Sequence, residues 1–313
     1  MKALVTGAAG FIGSTLSARL LQDGWDVTGI DALTPYYDPE LKRGNLARLG
    51  AGFTFVQDDL RTADLDALLD GVDVVFHQAG QPGVRASWGD EFGVYLDANV
   101  GATQVLLEAA KRASGLQRLV YASSSSVYGD AARYPVLEVD LPQPVSPYGV
   151  TKLAAEHLCS LYASNFGVPT VSLRYFTVFG PRQRPDMAFT RFLTAVRDDR
   201  PITVYGSGEQ IRDFTFVDDV VEANVLAATE AVSPGTVLNI AGGTNVTVNE
   251  VLSVIHSVTG RPVTTERHPT VDGDAWRTGG DASAARDLLG WKPKVSVEEG
   301  LARQWEYIGA GGG

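Results

Sequence analysis

Cysteine is nearly absent. Cys159 stands alone in 313 residues, so no internal disulfide can form, and a reducing compartment is the expectation. It falls inside "LAAEHLCSLYA", a helical pattern, and reads as a small core residue. Histidine is scarce too, and His77, His157, His256 and His268 show no metal-ligand spacing, so no metal is expected. Positive charge is in deficit: 26 Lys and Arg face 37 Asp and Glu, a net charge of −11. That excludes a general attraction for nucleic acid or for an anionic membrane. Any anionic ligand must be caught by a few local basic residues. No apolar run approaches the roughly 18 residues of a membrane span. A basic leader is missing as well, since the chain enters a strand at Lys2. A soluble cytoplasmic protein is the expectation, with no internal repeat and no low-complexity linker.

What is present is an alternation. "KALVT", "WDVTGI", "FTFV", "VDVVFH", "RLVYAS" and "PTVSLRYF" are short runs rich in β-branched and aromatic residues, suited to strands buried on both faces. Between them lie helical segments such as "FIGSTLSARLLQDG", "GATQVLLEAAKRASG" and "YGVTKLAAEHLCSLYASNFG", closed by glycine. Repeated β-α units predict an α/β fold, a doubly wound parallel sheet with right-handed crossovers. After about Phe176 the rhythm breaks. "MAFTRFLTAVRDD" and "VTVNEVLSVIHSVTG" read as helices, "PITVYG" and "PVTTER" as short strands, and "GAGGG" as a frayed tail. The expected organisation is a nucleotide-binding domain over 1–176, with returning segments at about 213–243, and a smaller substrate-binding lobe over most of 177–313.

"LVTGAAGFIGS" places Gly7, Gly10 and Gly13 between the first strand and first helix, with Phe11 and Ile12 opening that helix. Glycines there permit a tight turn, close approach of backbone to a pyrophosphate, and close helix–strand packing. The phosphates sit at the helix N-terminus. Asp31 ends the second strand and can bind both ribose hydroxyls while repelling a 2′-phosphate, which selects NAD over NADP.

"SPYGVTK" puts Tyr148 and Lys152 at i and i+4, on one helix face. An isolated Y-x-x-x-K reads as a surface pair; this one follows "YASSSSVYG", at the carboxyl end of the fifth strand, where open α/β sheets bind ligands. A free tyrosine ionises near pH 10, so lowering it to neutrality takes roughly 4 kcal/mol. An ammonium at about 4 Å and an effective dielectric of about 20 supplies that much. Tyr148 is therefore expected to be a phenolate base near pH 7, with Ser124 sharing the proton path.

These motifs, with "FHQAGQPGVRASW", "LRYFTVFGPRQRPDMAF", "YGSGEQIRDFTFVDD" and "LNIAGG", make the chain resemble the extended short-chain dehydrogenases/reductases in their sugar-nucleotide epimerase branch, over nearly its whole length. The resemblance implies a Rossmann-like fold, bound NAD, a UDP-sugar substrate and a homodimer built on the two helices flanking the active site. It puts Asp59 and Leu60 beside the adenine, and Gln78, Ala79 and Asn99 in the inner cofactor pocket. In "HQAG", Gln78 and Gly80 depart from the family's "HLAA". Arg212 of "IRDF" matches a diphosphate-binding arginine, Arg85 of "PGVRASW" and Asp274 fall on the substrate side, and Arg182 of "GPR" is a general anchor. A second basic diphosphate ligand is missing before Asp274, leaving Arg267 or Arg277 to replace it.

The branch opens by oxidation at C4. The resembling 4,6-dehydratases need an Asp-Glu pair at positions 125 and 126, and the UDP-glucuronate decarboxylases a Glu at 126; this chain has Ser125 and Ser126. The expected course is rotation of a 4-keto sugar and hydride return, a C4 epimerase. "GPRQRPDMAF" and "TPYYDPELKRGNL" resemble UDP-glucuronic acid 4-epimerases in particular, so Arg184 and Thr177, with Ser125 and Ser126, are expected to hold the sugar's carboxylate. A surface ion pair of Arg184 with Asp186 is the plain alternative, worth under about 1 kcal/mol. UDP-glucose or UDP-N-acetylglucosamine epimerisation, and an NAD-sensing module without chemistry, stay open as other readings.

Overall fold

The computed structural model of the chain describes residues 1–270 and 276–311. Its first half alternates strand and helix as the sequence pattern requires: β1 (Lys2–Thr6), α1 (Phe11–Gln22), β2 (Asp26–Ile30), α2 (Pro39–Ala47), β3 (Phe53–Val56), α3 (Leu65–Leu68), β4 (Val74–His77), α4 (Phe92–Tyr95), α5 (Ala102–Arg112), β5 (Arg118–Ser124), α6 (Pro147–Phe166) and β6 (Thr170–Tyr175). Then follow β7 (Thr177–Phe179), α7 (Ala188–Arg197), β8 (Ile202–Tyr205), β9 (Ile211–Arg212), β10 (Phe214–Phe216), α8 (Val217–Thr229), β11 (Thr236–Ile240), β12 (Val246–Thr247), α9 (Val248–Thr259), β13 (Thr265–His268), α10 (Ser283–Leu289) and α11 (Val297–Gly309).

Seven strands form one parallel sheet in the order β11-β6-β5-β4-β1-β2-β3. Both faces are covered, which is why the strands read as continuous apolar runs. Val5, Phe76, Val120 and Leu173 point to the α1–α8 side; Leu4, Val75, Leu119 and Tyr121 point to the α5–α6 side. Strand order reverses between β1 and β4, and that switch point opens the crevice where such sheets bind ligands.

The smaller pairings lie outside this sheet: β7 with β10 and β8 with β13, both parallel, and β9 with β12 antiparallel. Within 213–243, Phe214–Phe216 therefore pairs with β7, while α8 and β11 lie on the main sheet. β13 begins at Thr265, three residues later than "PVTTER" suggests, with the Thr264 carbonyl just before it accepting from Ile202 N of β8 (2.8 Å). Gly309 closes α11 rather than fraying, and Gly312 and Gly313 lie outside the described residues. Among the described residues no helix is long and apolar enough to cross a membrane, and no cluster of His, Cys, Asp or Glu has the makings of a metal site.

Candidate active site

A cleft of about 260 Å³ opens at the carboxyl ends of β1, β2, β4 and β5. The glycine turn forms one wall. Gly7 has φ +66°, and a Cβ there would stand 2.8 Å from the Ala79 backbone; one on Gly13 would stand 2.2 Å from the Gly7 carbonyl oxygen. No side chain fits at either place. Gly10 caps α1 without a side-chain hydrogen bond, so the first amides of the helix face the cleft open to an anion. Phe11 and Ile12 line the same wall. Asp31 holds the turn from the β2 side: its carboxylate accepts from Ala9 N (3.1 Å) and Leu33 N (2.8 Å). An open helix N-terminus that tolerates no Cβ, with a carboxylate at the next strand end, fits a dinucleotide.

The far end of the cleft is bordered by Asp58, Asp59 and Leu60. Asp59 is held below the usual carboxylate range by its hydrogen bond from Arg61 (2.8 Å). The inner wall carries Gln78 and Ala79. Gln78 is tied from behind: its Nε2 donates to Asn224 Oδ1 (2.9 Å) and Tyr175 Oη donates to its Oε1 (3.2 Å). Asn99 stands behind the wall, which Ala98 and Ala102 face; its amide clamps the backbone of Gln81 and donates to Thr151 Oγ1. Gly80 makes room for that clamp, since a Cβ would sit 2.8 Å from Asn99 Oδ1.

Tyr148 and Lys152 both line the cleft. Ser146 caps α6 by accepting from Gly149 N (3.1 Å), and Pro147 starts the helix, so Tyr148 sits in its first turn and Lys152 one turn on. Tyr148 shares a hydrogen bond with Ser124. Here the structure corrects an expectation. Burial pushes the Tyr148 phenol above its ordinary pKa, and the Ser124 bond and the positive charge of Arg184 offset this only in part. The Lys152 ammonium lies over the Tyr121 ring, 4.6 Å from its centroid, and burial pushes its own pKa down to about 8. As the protein stands, Tyr148 is a neutral phenol. Its ionisation must draw on positive charge that arrives with a ligand.

Ser125 and Ser126 form the short 3₁₀ turn after β5, with Ser126 N donating to Ser124 Oγ (3.1 Å). Thr177 opens β7. Because Ser124 pairs in register with Tyr175, both groups reach the same end of neighbouring strands. Arg184 lines the cleft with 19% of its side chain exposed and bears electrostatically on Tyr148 and Tyr36. It also forks onto Asp186 (3.0 and 2.9 Å), the pair foreseen as its plain alternative. Sequence reasoning left out Tyr36, Tyr37 and Lys42, which close the cleft from the loop before α2 and from α2 itself. Lys42 donates to the Thr34 carbonyl (2.9 Å). Asp38 capping α2 with Pro39 at its first position was the available signal.

The remaining predicted residues sit apart from this cleft. Arg85 lies over the ring of Tyr205 on β8 (4.7 Å). Arg212 is on β9 and donates to the Ile211 and Trp276 carbonyls. Arg267 is engaged with the Gly206–Ser207 turn, donating to both carbonyls. Arg277 instead bridges to Ile211 beside Arg212, and both guanidinium charges bear on Tyr134. Asp274 lies outside the described residues. Arg182 adopts φ +69°, and its buried Nη1 has no hydrogen-bond partner.

Comparison with known proteins decides the lineage. Residues 3–241 match the family model described as "NAD dependent epimerase/dehydratase family". The chain belongs to this family. A relative named "Uncharacterized UDP-glucose epimerase YtcB", from Bacillus subtilis (strain 168), is 45% identical over 98% of both chains. A UDP-glucuronate 4-epimerase of Thermodesulfobacterium geofontis (strain OPF15) is 37% identical, over 96% of this chain and 94% of its own. The crystal structure of UDP-glucuronic acid 4-epimerase from Bacillus cereus, in complex with UDP-glucuronic acid and NAD, superposes with a TM-score of 0.95 at 44% identity, covering 99% of each chain. Family membership and the glycine turn agree on the cofactor.

Proposed function

We propose that this protein is an NAD-dependent UDP-glucuronate 4-epimerase, converting UDP-glucuronate to UDP-galacturonate through a 4-keto sugar. One observation supports it above the rest: Arg184 stands in the cleft with Tyr148 and acts on it electrostatically, and the turn after β5 carries only hydroxyls at Ser125 and Ser126. When bound, NAD accepts the C4 hydride and returns it, so the reaction has no net oxidation. The chain's part is to move a proton and hold a sugar. Tyr148 takes the C4 hydroxyl proton, with Ser124 in hydrogen-bond contact with it. Lys152, one turn further along α6, supplies positive charge on the same cleft wall. Oxidised glucuronate is a β-keto acid, which loses CO₂ when its carboxylate stands perpendicular to the ketone. A planar guanidinium fork fixes that orientation, as a lysine cannot. With no acid at Ser125 or Ser126, dehydration finds no proton donor there, and the Glu of the resembling decarboxylases is absent.

The same reading gives the pyrophosphate to Gly7, Gly10, Phe11, Ile12 and Gly13, the ribose to Asp31, and the adenine edge to Asp59 and Leu60. Gln78 and Ala79 border the nicotinamide end, with Asn99 as support. Arg212 and Arg277, which flank the Ile211 bridge, are the pair for the UDP diphosphate, ahead of Arg267. Residues 1–176 with the returning 213–243 serve the cofactor and the rest of 177–313 the sugar nucleotide. Leu161 and Phe166, apolar yet exposed on α6, support a homodimer through α5 and α6. A single buried thiol at Cys159 supports a cytoplasmic setting.

A second reading, UDP-glucose 4-epimerase, draws on the Arg184–Asp186 fork, which leaves the arginine already satisfied. Incubating the purified protein with UDP-glucuronate and identifying the products separates them. UDP-galacturonate without a pentose product is expected; turnover of UDP-glucose alone contradicts the proposal.

A further inference from the structure

Beneath the cleft floor lies a buried ion pair that the chemistry above leaves unused. Glu156 falls one turn beyond Lys152 on α6, extending the stripe of Tyr148 and Lys152 by another i+4 step. Arg174 of β6 forks onto it, with Nη2–Oε1 at 2.6 Å and Nε–Oε2 at 2.9 Å, and the two side chains are only 4% and 2% exposed. Ser123, which lines the cleft next to Ser124, donates to the same carboxylate at 2.6 Å. From Arg174 the contacts run outward: Nη1 donates to Tyr128 Oη (2.6 Å), and Tyr128 to Asn239 Oδ1 (2.7 Å). Exchanging a buried ion pair for apolar side chains is often neutral or stabilising, so stability alone does not account for this one.

We propose that Glu156 and Arg174 are positioning residues of the reaction, holding the cleft floor through Ser123 and together setting the charge that Lys152 carries. The groups facing Lys152 make the assignment. Its own helix offers Glu156 and Cys159, with Tyr148 one turn before it on the same cleft wall; β5 offers the Tyr121 ring; β4 offers His77; and Gly80 and Asn99 close the remaining side. Burial keeps His77 uncharged and pushes the Cys159 thiol up, so it too stays neutral. Tyr121 and Tyr148 are raised by burial as well. Among the groups bearing on Lys152, Glu156 is the one held in an ion pair, and the Arg174 charge forked onto it opposes its pull. Removing either partner should move Lys152 in opposite directions.

This inference rests on Lys152 being half of the catalytic pair, but its test reads ionisation and not turnover, so the two claims fail separately. Holoenzyme labelled at ¹³Cε of lysine is titrated by NMR; Lys2, Lys42, Lys111, Lys152, Lys292 and Lys294 give few signals, and Lys152→Met assigns the one needed. Glu156→Gln leaves Arg174 uncompensated and should lower the Lys152 midpoint by about one pH unit. Arg174→Gln leaves Glu156 unshared and should raise it by a similar amount. The basic limb of kcat should follow in both. Shifts in the same direction, or both below about 0.3 unit, overturn the proposal. If one single variant does not fold, the sign of the other decides. If neither folds, Glu156→Gln/Arg174→Gln, which buries no lone charge, must keep the wild-type midpoint; a displacement beyond about half a unit overturns it.

Discussion

Two side chains in the cleft face opposite demands in the proposed reaction. There Tyr148 loses a proton in a place where burial favours the neutral phenol, while Arg184 stays charged and takes a carboxylate. Tyr148→Phe keeps the ring packing against Tyr95, so it should retain NAD but lose at least about 100-fold in kcat. Near-normal turnover in steady-state assays would remove Tyr148 from the role of base. For Arg184 the structure adds a competitor that the sequence offered only as an alternative. Asp186 occupies the guanidinium fork, so substrate must displace it. Asp186→Asn should therefore lower KM for UDP-glucuronate about two- to fivefold, the worth of a partly exposed pair, and leave KM for UDP-glucose unchanged. Equal changes for both sugars would show that the pair only shapes the loop.

At the scale of elements, the glycine turn was fully legible, because its requirements are local: a strand, three glycines at fixed spacing and a helix. Gly13→Ala puts a Cβ against the Gly7 carbonyl and should weaken NAD binding at least about tenfold, read by calorimetry; unchanged affinity would mean that the turn can shift at no cost. The six strands of the first half were equally plain, since burial on both faces leaves one uninterrupted apolar run each. The second lobe was harder. Its strands have two to four residues, too short for a period to show, and β9 and β12 exist through partners distant in sequence. α11 went unread although "SVEE" announces it, with Ser296 capping Glu299 N. α2 carried a cap signal as well, but nothing local shows that the loop before it folds over the cleft. Electrostatics were the least legible. Spacing placed Lys152 on the face of Tyr148, but only the packed structure shows its ammonium over Tyr121.

The whole molecule combines a parallel sheet, whose carboxyl ends open the cleft, with a second half of the chain that brings Arg184 to it. The two share one apolar core, in which Val5, Phe76 and Leu173 belong to the same buried cluster as Phe189, Leu193 and Leu301; next to Arg184, Gln304 of α11 donates to Gln183 and to Thr190 of α7. Folding stability should also depend on pH through the sheet. His77 is fully buried between Thr6 and Thr103, and burial pushes its pKa down to about 3. The unfolded chain binds a proton near pH 6.5 that the folded chain refuses, so this contribution is full above 6.5 and is lost as pH falls. The loss approaches about 1.4 kcal/mol per pH unit below that point. Urea titrations at pH 7 and pH 5 should show the drop in wild type, and His77→Gln should flatten it; an equal slope in both would assign the acid sensitivity elsewhere. The central claim is that Arg184 selects a carboxylate-bearing sugar. Its most direct test is the ratio of kcat/KM for UDP-glucuronate to that for UDP-glucose, in wild type and in Arg184→Ala. Wild type should favour UDP-glucuronate strongly, and the variant should lose at least about 30-fold of that preference, corresponding to about 2 kcal/mol. A wild type that turns over both sugars alike, or a ratio that Arg184→Ala leaves unchanged, would contradict it.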